Sequence, residues 1–247
     1  MIIKILNRAL KKFNLAIQPI PVTADLEKEF LEMYSDCKPY TMTSMERMYT
    51  AFKAIDYIEK MGIEGSVVEC GVWKGGSSMI MARNLLRNNS TSRDLYLYDT
   101  YEGMPEPSEK DTNYKGEKGF EDWEKNKEAN YNKWCYASLD EVTNNLKSTG
   151  YPEEKIHFIK GKVEETIPFD IPSKIALLRL DTDWYESSYH EIKNLYPLLS
   201  QNGILILDDY GHWQGQKEAI NRYFSEHNIQ MYLHRIDYTG RTGIKTT

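Results

Sequence analysis

Apolar and polar positions switch between two periods along this chain, and that switching predicts a fold class. Short runs that are nearly all apolar read as strands: "SVVEC" (66–70), "DLYLYD" (94–99), "KIHFIKG" (155–161), "KIALLRLD" (174–181) and "GILILDD" (203–209). Between them lie segments with apolar residues at helical spacing: "GSSMIMARNLL" (76–86), "SLDEVTNNLKST" (138–149), "ESSYHEIKNLYPLL" (186–199) and "QKEAINRYFSEH" (216–227). Before the first strand, residues 23–35 and 44–61 are predicted helices, the second with Ser44 or Thr43 as N-cap. After the last helix, "IQMYLHRID" (229–237) is predicted as one more strand, followed by a short tail. Strands apolar on both faces and alternating with helices predict an α/β, Rossmann-like fold. Its sheet is expected to be mainly parallel, with helices on both faces.

Two regions break the rhythm. Residues 100–137, between the second and third strands, mix Gly, Pro, Glu, Lys and Asn with Tyr101, Tyr114, Phe120, Trp123, Tyr131, Trp134 and Tyr136. A disordered linker would be aromatic-poor, so this insert is expected to be either a lid or binding loop, or a structural flap. At the N-terminus, Ile2, Leu6, Leu10, Phe13 and Ile17 recur at helical spacing opposite Lys4, Arg8, Lys11 and Lys12. That helix packs on the body or a partner subunit, or makes weak contact with a membrane surface. The expected division is a helical extension over 1–36 and one catalytic domain over 37–247.

Composition narrows the class. With 247 residues, 40% hydrophobic and 28% charged, the chain suits a globular domain with a sizeable core. A net charge of −6 argues against a general nucleic-acid binder. Cys37, Cys70 and Cys135 are odd in number and lack paired spacing, so reduced thiols and a cytoplasmic location are expected. No uninterrupted apolar run fits a signal peptide or a spanning helix.

The chemistry gathers at strand ends. "VVECGVWKGGSSM" places Glu69, Gly71, Gly75 and Gly76 at a strand-to-helix turn, where backbone can approach a ligand closely. Trp73 stands where a dinucleotide fingerprint needs glycine, and Ser77-Ser78 where a phosphate loop needs Lys-Ser/Thr. Nicotinamide and ATP are therefore disfavoured. Glu69 suits an amine, and Asp99 at the end of the second strand suits ribose hydroxyls. Together they suggest an adenosine ligand with an amino-acid tail. Further on, "LLRLDTDWYESS" and "GILILDDYGHW" end apolar strands in Asp181, Asp183, Asp208 and Asp209. Carboxylates are costly to bury unpaired, so these face a ligand, a cation or solvent. Asp181 alone could also be a helix cap or an ion pair to Arg179.

"VVECGVWKGGS" resembles the first motif of class I S-adenosylmethionine-dependent methyltransferases. More narrowly, "CKPYTMTSMERMY", "LYLYDTYEGMPEP", "LRLDTDWYESS" and "LILDDYGHWQGQKEAI" resemble the macrocin O-methyltransferase family, in order, over about residues 37 to 240. The resemblance implies methyl transfer from S-adenosylmethionine to a sugar hydroxyl of a small-molecule glycoside. It implies that Glu69, Cys70, Gly71, Val72, Gly75, Gly76 and Ser77 hold the methionine portion, and Asp99 and Thr100 the ribose. Gly161, Lys162 and Val163 would flank the adenine, while Thr41, Met42 and Ser44 close over the cofactor. Asp181, Asp208 and Asp209 would hold Mg²⁺, or Mn²⁺ or Ca²⁺, as a hard oxygen site, with Asp181 also bordering the cofactor. The cation would engage neighbouring hydroxyls of a vicinal diol, and Asp181, Asp183 or His212 would serve as base. Catechol O-methyltransferases carry a lysine three residues after the first metal aspartate; Trp184 stands there instead and lines the pocket or simply packs. Self-association is also implied. The alternatives are an Asp-x-Asp glycosyltransferase, a haloacid-dehalogenase-type phosphatase, and a non-catalytic S-adenosylmethionine-binding subunit. Neither rival enzyme explains the glycine turn, and a scaffold has no need of the acids.

Overall fold

The computed structural model describes Leu10 and residues 23–246. The basic amphipathic helix expected near the N-terminus falls outside the described residues. Helix α1 (Lys28–Cys37) starts later than expected because residues 23–25 form a turn, with Leu26 N–H donating to Thr23 O at 3.2 Å. Helix α2 (Met45–Lys60) begins where its N-cap Ser44 accepts the Arg47 N–H. Then follow β1 (Ser66–Cys70), α3 (Gly76–Arg87), β2 (Leu95–Asp99), α4 (Gly119–Lys125), α5 (Leu139–Lys147), β3 (Ile156–Lys160), α6 (Val163–Thr166) and β4 (Ile175–Leu180). The chain continues through α7 (Tyr185–Leu195), β5 (Leu199–Leu207), α8 (Gln214–Glu226), β6 (His234–Arg235) and β7 (Arg241–Ile244).

The sheet has seven strands in the order β3-β2-β1-β4-β5-β7-β6. Strands β1 to β5 are parallel; β7 runs antiparallel to β5 and β6. Every residue of β1 and β4 is buried, as a strand covered on both faces requires. Alternate residues feed two cores. Val67, Leu95, Leu97, Leu177, Ile204 and Ile206 pack with α1, α2, α3 and α5, whereas Val68, Leu178, Leu180, Leu205 and Leu207 pack with α7 and α8. Glu69 and Arg179 are register partners in β1 and β4, so both point to the α2–α3 side.

The C-terminal edge corrects the expected strand over 229–237. Only His234–Arg235 pairs, and the strand beside β5 is Arg241–Ile244, in what read as tail. The reason is a local turn: Asp237 Oδ1 accepts from the N–H groups of Thr239 at 2.9 Å and Gly240 at 2.7 Å, reversing the chain. Among the described residues no helix is long and apolar enough to cross a membrane.

The insert contains α4 and is fastened to the body at several points. Asp111 Oδ1 accepts the Tyr185 N–H at 2.7 Å at the start of α7, and Trp184 Nε1 donates to Pro105 O at 2.9 Å. Thr112 O accepts from Gln214 N–H, and Trp134, Trp184 and Trp213 form a ring cluster. These contacts tie the insert to the starts of α7 and α8.

Candidate active site

The loops after β1 to β5, at the carboxyl edge of the sheet, enclose one cavity of about 310 Å³ beside the point where strand order reverses. The segment from Tyr40 to Thr43 and the insert complete its walls.

On one side stands the glycine loop. Gly71 has φ +84°, and a Cβ there would lie 2.0 Å from the backbone oxygen of Asp181. The β1 and β4 turns therefore touch through bare backbone, fixed by Asp181 N–H donating to Cys70 O at 2.8 Å. A Cβ on Gly76 would meet Tyr40 O at 2.6 Å, which is how Thr41 lies against the first turn of α3. Asp99 Oδ2 accepts the N–H groups of Val72 at 2.7 Å and Trp73 at 3.0 Å, and its Oδ1 accepts Tyr101 N–H at 2.7 Å. Burial raises the Asp99 carboxyl above its usual range despite those bonds. Thr41, Met42, Gly71, Val72, Gly76, Ser77, Asp99, Thr100, Gly161, Lys162 and Val163 all line the cavity. Ser44, Glu69, Cys70 and Gly75 do not. Ser44 caps α2, Gly75 caps α3, Cys70 faces the α7–α8 core, and Glu69 is committed to Arg179 and Ser78.

The other side is acidic. Ligand oxygens of Asp181, Asp208 and Asp209 lie within 4.8 Å of one another. Arg179, 2% exposed, binds Glu69, Asp208 at 2.6 Å, Asp181 at 2.8 Å and the Thr43 hydroxyl at 3.2 Å. Burial alone would lower its basicity, but Asp181, Asp208 and Glu69 hold it protonated well above the usual range. Arg47, from the first turn of α2, reaches Asp208 Oδ2 and donates through Nε to Asp237 Oδ2 at 3.0 Å. Asp183 has φ +67°, and its buried Oδ1 has no hydrogen-bond partner. Burial, then Asp209 and Asp181, push the Asp183 carboxyl well above the usual carboxylate range. Asp181 is raised by burial against the pull of Arg179, with Asp208 and Asp209 adding to the rise.

His212 lines the same cavity, with Nδ1 3.2 Å from the Tyr238 hydroxyl. Trp184 is 3% exposed and packed rather than lining that cavity, its indole spent on Pro105. Sequence reasoning missed Arg47, Asp237 and Tyr238. Arg47 falls in "TMTSMERMY" one residue before buried Met48 on the inward face of α2, a signal that it could be read as a buried cation. Asp237 ended the expected strand over 229–237, on a run less uniformly apolar than those before Asp181 and Asp208.

A reversed parallel sheet with a glycine turn after β1, an acid after β2 and acids after β4 and β5 defines a class I S-adenosylmethionine-dependent methyltransferase. A family model for Macrocin-O-methyltransferase (TylF) matches residues 22–242, and this chain belongs to that family of O-methyltransferases. It is 29% identical over 201 residues to the 8-demethyl-8-(2,3-dimethoxy-alpha-L-rhamnosyl)-tetracenomycin-C 4'-O-methyltransferase of Streptomyces olivaceus, covering 81% of this chain and 74% of the relative. It is 28% identical over 201 residues to the demethyldecarbamoylnovobiocin O-methyltransferase of Streptomyces niveus, with the same coverage. The solved structure of the O-methyltransferase NovP superposes with a TM-score of 0.72 at 29% identity, covering 84% of this chain and 83% of that one.

Proposed function

We propose that this chain transfers the methyl of S-adenosylmethionine to a sugar hydroxyl of a glycoside bearing a vicinal diol, with a divalent cation as helper. One observation carries the reading: the glycine loop with Asp99 and the four aspartates Asp181, Asp183, Asp208 and Asp209 open into a single cavity. Methyl donor and acceptor hydroxyl can therefore meet without crossing solvent. The relatives' names, a rhamnosyl-tetracenomycin and a novobiocin O-methyltransferase, favour a glycosylated acceptor.

The residues fit a hard cation. All donors are carboxylate oxygens, the acids around the cavity outnumber Arg47 and Arg179, and Asp183 Oδ1 is buried without a partner. Asp181, Asp208 and Asp209 would hold it. Bound there, it would make an acceptor hydroxyl more acidic.

The chain's own residues do the rest. Asp99, fixed by three backbone N–H groups, presents its carboxylate to ribose hydroxyls. Gly71 and Val72 receive the methionine portion, and Lys162 with Val163 borders the adenine. Asp183 is the base: its Oδ1, which has no hydrogen-bond partner, accepts the hydroxyl proton. Trp134, Trp213 and Tyr238 shield the acceptor from water and align its oxygen with the sulfonium methyl. Residues 37–247 form the catalytic unit.

The test is calorimetric titration of S-adenosylhomocysteine with Mg²⁺ and with EDTA, followed by methyl transfer to a panel of vicinal-diol glycosides. Binding that survives Asp181→Ala, with transfer that requires a divalent cation, supports the reading. Absence of binding overturns it, and transfer unaffected by EDTA removes the cation.

A further inference from the structure

Building on the cation reading above, we infer that Arg47 occupies part of the cation's place, and that a cation enters only by displacing its guanidinium from Asp208. The argument rests on which oxygens are free. Asp183 Oδ1 has no partner, and Asp209 Oδ1 has one long bond from Thr239 at 3.2 Å. Asp181 gives its Oδ2 to Arg179 at 2.8 Å. Asp208 alone has both oxygens taken by cations, Oδ1 by Arg179 at 2.6 Å and Oδ2 by Arg47. A divalent cation on Asp208 therefore has to share an oxygen with a guanidinium, and two positive groups held that close repel each other strongly.

Arg179 cannot be the group that yields. It springs from the middle of the sheet and binds Glu69, Asp181, Asp208 and Thr43, so releasing it would leave several buried charges unpaired. Arg47 is placed to yield. Its Nη1 serves Asp208, whereas its Nε is held separately by Asp237 Oδ2, which also accepts from Ser44 Oγ at 2.7 Å. The planar guanidinium moves as one unit, so Nη1 leaves Asp208 only as the whole group shifts, and Asp237 is the carboxylate that can keep it. Arg47 itself lines the cavity. It thus serves as the resident counter-ion while the cation is absent, and it sets the concentration at which a cation enters.

The test is Mn²⁺ binding followed by calorimetry and electron paramagnetic resonance, with no turnover required. Arg47→Gln is expected to bind Mn²⁺ about tenfold more tightly than the natural chain, a change of about 1.4 kcal/mol. Lys162→Gln removes an equal charge from the same cavity without freeing a carboxylate oxygen, and is expected to change the affinity less than twofold. In the natural chain, the Nε–H resonance of Arg47, assigned by its loss in Arg47→Lys, is expected to shift on adding Mg²⁺. That measurement stands even where Arg47→Gln folds poorly. Equal or weaker Mn²⁺ binding by folded Arg47→Gln, or an unmoved Arg47 resonance at saturating Mg²⁺, overturns the inference. Failure of the natural chain and Arg47→Gln alike to bind Mn²⁺ overturns the cation reading itself, and this inference with it.

Discussion

The two sides of the cavity differ in what holds them in shape. The glycine-loop side is mostly backbone: Gly71 lies against the Asp181 carbonyl, Tyr40 against Gly76, and N–H groups of three residues lock Asp99. Its parts come from the turns after β1, β2 and β3 and from residues 40–43 before α2. The acid side is mostly charged side chain, drawn from α2, β4, the turns after β4 and β5, and the C-terminal turn at Asp237. Backbone contacts such as Gly71 against Asp181 O tolerate little change in shape and carry no net charge to exchange. Guanidinium–carboxylate contacts on the acid side can exchange partners with a cation or a proton. A stiff surface and an adjustable one are thus built from different materials.

The sharpest way to separate the sides is Asp183→Asn. Asparagine tolerates the left-handed backbone at φ +67°, so the turn should survive while the proton acceptor is lost. The expected outcome is a fall in kcat of about 10²–10⁴-fold, the usual scale for a general base, with S-adenosylhomocysteine affinity unchanged. Equal loss of binding would show that the two sides are not separable. Next in size is Gly71→Ala. Its methyl would meet Asp181 O at 2.0 Å in a backbone region hostile to alanine, costing about 3 kcal/mol. Because Gly71 is the seam, thermal denaturation should show lost stability, and titration should show weakened binding of both donor analogue and cation.

These effects track what the chain reveals on reading. The glycine loop is written in consecutive residues, and β1, β4 and β5 announce themselves as apolar runs because both faces are covered. Asp181, Asp208 and Asp209 were legible for the same reason: a carboxylate ending such a run needs an explanation. Their partners were not. Arg47 meets Asp208 across 161 positions and Asp237 across 190, separations that no local pattern encodes. Residues 229–237 misled because Ile229, Met231 and Leu233 do pack on the core, in alternation, without pairing as a strand. The insert's aromatics gave its order but not its attachment, which depends on Asp111 meeting the start of α7.

The smallest effect concerns what lies beneath the acid side. Glu191, in α7, is fully buried, and its Oε2 accepts the hydroxyl of Thr182, the residue between Asp181 and Asp183. Its Oε1 has no partner. Burial raises the Glu191 carboxyl well above its usual range; the Thr182 bond opposes this, and Glu164 adds slightly to the rise. A carboxyl whose proton affinity is higher folded than unfolded contributes stability that is complete below the unfolded value, about 4.3. That contribution is lost as pH rises through the window up to the folded value. Glu191→Gln keeps the shape and removes the titration. It should therefore gain stability over the natural chain as pH rises from about 5, by at most about 1.4 kcal/mol per pH unit, in urea denaturation series. The gain should come with little change in kcat, because Thr182 still finds a side-chain oxygen at 191. A variant difference independent of pH would mean that Glu191 is ionised in the folded protein, and that the acid side rests on one more buried charge.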